Sequence, residues 1–245
     1  MARFKTKMRY LAPEWADKIW DAAQARNRGA GAEWLLPLAV TGVRPASLER
    51  GITFDLVHDH DGAEYIRAKS FDAKILKDFT GAAIRGQDEV QVCWRITPPA
   101  DAPHRPNELW AILQTLQHSE QKRIAVTYDV DGISTQIREL SKEIWPRKQY
   151  QVSAICYREL LSSCCKDAGM SASDIAKVMG HLSTESQGRY SSGTLRSSSA
   201  PRQQTRLFSH IAATNTVRVH RSPMQRFKNS AANLNRKRLA LSIPC

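Results

Sequence analysis

Neither aspartate nor glutamate occurs in the last 46 residues of this chain, and neither occurs in its first ten. Those two stretches nevertheless hold nine and four of the 36 lysines and arginines, so the net charge of +12 sits at the ends and the residues between are almost neutral. This placement excludes a body that is basic throughout. It leaves an ordinary globular composition with a basic arm, residues 1–10, and a basic tail, residues 200–245. Extensions of that kind suit a polyanion, since each lysine or arginine set on a phosphate releases condensed counterions. Composition alone serves a solubilising tail equally well.

Long apolar runs are missing too. None approaches the roughly 18 residues of a membrane span. The opening M-A-R-F-K-T-K-M-R-Y has no apolar segment behind its charges, which argues against a secretory signal. Five cysteines, Cys93, Cys156, Cys164, Cys165 and Cys245, form no C-x-x-C pair and no evenly spaced ladder. The expectation is reduced thiols in a cytoplasmic protein rather than a disulfide framework. There is no internal repeat. The 245 residues fit one core of up to about 200 residues plus tails, enough to bury roughly 70% of the unfolded surface without staples.

Pro13 and the following E-W-A-D-K-I-W-D-A-A-Q-A-R predict a helix with Trp15, Ile19 and Ala22 or Ala23 on one stripe. Glu33 to Val40 reads as a second, buried helix stopped by Gly42, and Pro45 starts a short one that Gly51 ends, so Arg44 falls on a tight turn. From Ile52 to Thr97 the pattern changes to strands, clearest where Val90, Val92, Trp94 and Ile96 alternate with polar neighbours. Helices return over Glu108 to Gln117, capped by Asn107, over Ser134 to Ile144, and over Ser153 to Ala168, ending at Gly169. Ser171 and Asp174 form a capping box for the next, which ends at Gly180. The fold class read from this order is α+β, mostly α, with a small antiparallel sheet of about three strands.

The stretch from Arg158 to Tyr190 is the most informative. It reads R-E-L-L-S-S-C-C-K-D-A-G, then S-A-S-D-I-A-K-V-M-G-H, then L-S-T-E-S-Q-G-R-Y. Arg158 stands 23 residues before His181 and His181 nine before Tyr190, which leaves room for a helix between each pair. Taken singly, each side chain has a plain structural use: an arginine in a helix-end salt bridge, a histidine capping a helix C-terminus, a tyrosine at the edge of the core.

Together with T-G-V-R-P-A-S-L at residues 41–48, this ordered set resembles the catalytic domain of the tyrosine recombinases, the phage integrase family, over about residues 11–193. The resemblance implies a domain spanning 11–199 that cleaves and rejoins double-stranded DNA. In it Arg44 and Arg158 would grip the scissile phosphate, His181 would be a third donor, and Tyr190 would attack to give a 3′-phosphotyrosyl strand and a free 5′-hydroxyl. Lys74 stands most nearly where the family has the lysine that protonates the leaving 5′-oxygen, with Lys69 and Lys77 as rivals. The chemistry suits these residue types: a covalent ester stores the bond energy, and fixed guanidinium charge meets the negative charge growing on the nonbridging oxygens. No metal, nucleotide or other cofactor is implied. The implied partners are double-stranded DNA, with Arg3, Lys5, Lys7, Arg202 and Arg206 as backbone contacts, and further copies of the chain in a tetramer on recombining DNA. No membrane is involved, and the implied setting is bacterial or that of a phage or other mobile element.

Two positions depart from the family pattern. Ile155 stands three residues before Arg158, where a histidine or lysine is usual. Ser47 stands three after Arg44 in place of an acid, with Glu49 a misphased substitute. The family also carries a separate helical DNA-binding domain ahead of the catalytic one, whereas only residues 1–10 precede the catalytic part here; the chain is read as a fragment or as a minimal enzyme. The rival readings are an inactive relative that binds DNA through the same arginines, a relaxing topoisomerase of the type IB kind, and an unrelated basic protein.

Overall fold

A computed structural model describes residues 14–26, 32–60, 62–96, 108–149, 151–185 and 208–219. Helix α1, Trp15–Arg26, buries Trp15, Ile19 and Ala23 on one stripe, and the Trp15 ring meets Tyr157 edge-on at 4.9 Å. A 3-10 turn, Glu33–Leu35, runs into α2, Leu36–Thr41, a helix buried almost all round. Gly42 ends it in the left-handed conformation, and Pro45–Ser47 forms a second 3-10 turn.

The next strands are β1, Ile52–His58, β2, Glu64–Ser70, the short pair β3, Leu76–Lys77, and β4, Ala83–Arg85, and then β5, Val90–Arg95. After them come α3, Glu108–His118, β6, Arg123–Val126, α4, Val130–Ile144, α5, Ala154–Asp167, α6, Ala172–Val178, and β7, His210–Ala213.

The main sheet is larger than expected. Its order is β6-β1-β2-β5-β7, five antiparallel strands instead of three, with β3 and β4 forming a separate ribbon. The three central strands, β1, β2 and β5, lie within the 52–97 stretch read as strands, and β5 is the one whose alternation is clearest. The two edges were missed because R-I-A-V and H-I-A-A are too short to show a period, and each becomes a strand only by pairing with a distant one. Register aligns one apolar face across all five: Ile124 opposite Phe54, Phe54 opposite Ala68, Ala68 opposite Val92, and Val92 opposite Ile211. Phe54 is fully buried there. On the other face Arg67 forks onto Asp55, its cross-strand neighbour, at 2.9 and 2.6 Å.

Strand β7 lies within the stretch read as a basic tail, and it packs on its own chain. Phe208 leans on Trp94 at 5.3 Å, and the Ser209 amide donates to the Cys93 carbonyl at 2.7 Å. Helix α4 also begins one turn earlier than its apolar spacing suggests, because Asp129 accepts from the amides of Asp131 and Gly132 and so caps it. No helix among the described residues is long and apolar enough to cross a membrane.

Candidate functional site

The left-handed turn at Gly42 is the foundation of the site. A Cβ on Gly42 would lie 2.6 Å from Cδ2 of Leu161, so only glycine lets α5 pack this closely. One turn back on α5, Arg158 is 2% exposed and donates through Nη1 to the Gly42 carbonyl at 3.0 Å. Its Nη2 donates to the Met179 carbonyl and lies 3.1 Å from Nε2 of His181. Because a guanidinium can only donate, Nε2 is the accepting ring nitrogen in this arrangement.

His181 reaches that position through the end of α6. Gly180 takes φ +64, its amide returns to the Lys177 carbonyl at 2.8 Å, and the His181 amide returns to Ala176 at 2.7 Å. This doubly bonded helix end turns the chain sharply inward. The Met179 carbonyl, which α6 leaves without an intrahelical partner, is met by the Arg158 cation at the negative end of the helix dipole.

Arg44 stands two residues beyond Gly42, at the entry to the 3-10 turn. Its Nε lies 3.1 Å from Oδ1 of Asp72, and its side chain is 20% exposed against 4% for that of Asp72. Asp72 sits between β2 and β3. Its Oδ1 also accepts the Lys74 amide at 3.0 Å, while Oδ2 lies against Gly180. Arg44, Arg158 and His181, far apart in the chain, are thus brought to one locality. The Lys74 backbone belongs to it as well, with the side chain exposed. Of the rival lysines, Lys77 is paired with Asp88 at 3.0 Å and Lys69 is half-buried on β2. Tyr190, Arg3, Lys5, Lys7, Arg202 and Arg206 lie outside the described residues.

At the two departures from the family pattern, Ile155 is half-buried on α5 and Ser47 is buried, its hydroxyl accepting the Ala73 amide at 3.1 Å. Glu49 is exposed.

Two residues that sequence reasoning passed over complete the locality. Asp72 stands two positions before Lys74 in S-F-D-A-K, and that proximity was the only signal it offered. Gln87 is fully buried and ties the histidine turn to the strand after it. Its side chain donates to the carbonyls of His181 at 3.3 Å and Asn215 at 2.8 Å and accepts the Asn215 amide at 2.8 Å, while its own amide donates to Gly180. Nothing local marks a glutamine for such a role. The segment after β7 also runs beside the histidine turn, with the Arg218 amide donating to Leu182 and the Thr184 amide to Arg218.

No protein-family model matches the chain, and no curated protein does. Among solved structures it is similar to XerA recombinase, at 18% identity and a TM-score of 0.42, over 74% of this chain. The match covers 59% of the recombinase, so this chain spans about three-fifths of that protein's length.

Proposed function

We propose that this chain cleaves and rejoins double-stranded DNA as a recombinase of the tyrosine type, with Arg44, Arg158, His181, Lys74 and Tyr190 as its site residues. The observation that carries the reading is the Arg158 guanidinium, which joins the turn bearing Arg44 to the ring of His181. The residues that the sequence pattern singles out for gripping a phosphate share one locality, although 116 residues separate Gly42 from Arg158.

In this reading the Tyr190 phenol gives its proton to water as its oxygen attacks phosphorus, the bond to the 5′-oxygen breaks, and that oxygen takes a proton from Lys74. The Lys74 ammonium suits the task better than that of Lys77, which an acid already holds. The arginines stabilise the charge that grows on the nonbridging oxygens. The basic arm and, ahead of β7, Arg202 and Arg206 track the DNA backbone, and a tetramer assembles on two duplexes in the cytoplasm of a bacterial or phage-infected cell.

A second reading, binding without chemistry, is favoured by one feature. Arg158 is almost wholly buried and its donors point at internal acceptors. A duplex carrying a nick next to the cleavage position separates the two, since the released fragment escapes and any covalent intermediate is trapped. The expected outcome is an SDS-resistant adduct with the native chain and none with Tyr190→Phe, while duplex binding is retained. An adduct with the phenylalanine variant overturns the nucleophile assignment, and no adduct with the native chain leaves binding alone.

A further inference from the structure

We propose that Asp72 is the residue that positions Arg44, in place of the acid that is missing three residues after that arginine; the inference rests on the phosphodiester reading above. Asp72 is 6% exposed, and its Oδ1 lies 3.1 Å from Arg44 Nε. Among the described residues nothing bonds to the terminal amino groups of Arg44. The contact is an ion pair without hydrogen-bond geometry, since Arg44 Nε has no hydrogen-bond partner among the described residues. Asp72 thus faces the inner edge of the guanidinium with its charge and leaves the outer fork, the part that grips a phosphate through two parallel bonds, unengaged by it.

One carboxylate oxygen and the loop around it are held by hydrogen bonds. The Lys74 amide donates to Oδ1 at 3.0 Å, Arg50 Nη1 donates to the Asp72 carbonyl at 3.0 Å, and the Ala73 amide donates to Ser47 Oγ at 3.1 Å. Serine at position 47 thus serves the same end by another route: its hydroxyl anchors the loop that carries the acid. Oδ2 has no hydrogen-bond partner among the described residues and lies between two glycines. A Cβ on Gly86 would come within 3.1 Å of it and one on Gly180 within 3.2 Å. Both glycines adopt positive φ, +79 and +64, so neither position suits a larger residue on backbone grounds either. The acid that aims Arg44 is accordingly wedged against the glycine that aims His181, and the two halves of the site share one spacer.

The test is a double-mutant cycle on the full chain with Arg44→Ala, Asp72→Asn and the double variant, read as the rate of covalent capture on the nicked duplex. Asparagine keeps the acceptor for the Lys74 amide and removes only the charge. Misplacing a reacting group by about 1 Å lowers rates on the order of 100-fold, so Asp72→Asn should slow capture by about that factor. The double variant should be no slower than Arg44→Ala. Capture by Asp72→Asn at the native rate, or losses that multiply in the double variant, overturns the assignment, because a merely structural defect adds to the loss of Arg44. If Asp72→Asn folds poorly, Asp72→Ser enters the same cycle. If the native chain forms no adduct, the phosphodiester reading fails separately. The cycle is then read on affinity for an intact duplex at low salt, where non-multiplying losses support the pairing and multiplying ones overturn it.

Discussion

Among the described residues Arg158 heads the largest side chains that the fold buries, and it is a permanent cation. Burying such a group is tolerable only when its donors are used and some negative potential faces it. Here carbonyl oxygens supply both, from the turn at Gly42 and from the C-terminal end of α6. One residue therefore fastens α2, α5 and α6 together at the point where the site lies. Truncating Arg158→Ala orphans two buried carbonyls, each worth about 1–3 kcal/mol. Urea unfolding should show a loss of at least about 2 kcal/mol, and Arg158→Lys should recover only part of it, since an ammonium cannot reach acceptors in a fixed fork. A change below about 0.5 kcal/mol in the alanine variant, the size of an ordinary surface substitution, would contradict this account.

At the scale of elements, α6 is only seven residues long and depends on its ends. Ser171 Oγ accepts the Asp174 amide at 3.0 Å, and its hydroxyl donates to the Asp174 carboxylate at 2.7 Å. The Ser171 hydrogen bond first, and Lys177 second, hold the Asp174 carboxyl below its ordinary value of 3.8, against the opposing pull of burial. Ser171→Ala should lower stability by about 1 kcal/mol in urea unfolding at neutral pH. An acid whose folded value is depressed contributes fully above its unfolded value, and the contribution disappears as pH falls through the folded one. The gap between native and variant should therefore narrow below about pH 4, where the unfolded carboxylate begins to protonate. A constant gap across that range would mean that the hydroxyl serves the backbone amide alone.

For the whole molecule, the closing strand matters most. Strand β7 covers β5, and the chain after it runs on beside the histidine turn, so the far end of the described chain stabilises the site it encloses. A chain ended after residue 207 leaves the β5 edge unpaired and the Gln87 amide without Asn215. Its Tm should fall by several degrees, as about 1 kcal/mol shifts a domain of this size by roughly 2–4 °C. Light scattering should also show association through the open edge. An unchanged Tm would show that β7 adds nothing to the core.

The amino-acid order by itself determined which segments are helices and where they stop, because glycines at 42, 169 and 180 and apolar spacing at three and four are local properties. It likewise determined that residues 52–97 form strands, clearest in the alternation along β5, and it marked Arg44, Arg158 and His181 by type and offset. The tertiary structure alone decided the sheet's two edges, the partner of Arg44, and the burial of Gln87. Each of these is a pairing between residues far apart in the chain: Gln87 meets Asn215 across 128 positions, and Asp72 meets Arg44 only after β1 and β2 have folded back. A carboxylate in a turn carries no mark of the cation it will face, since that depends on which distant backbone comes close enough to exclude water between them.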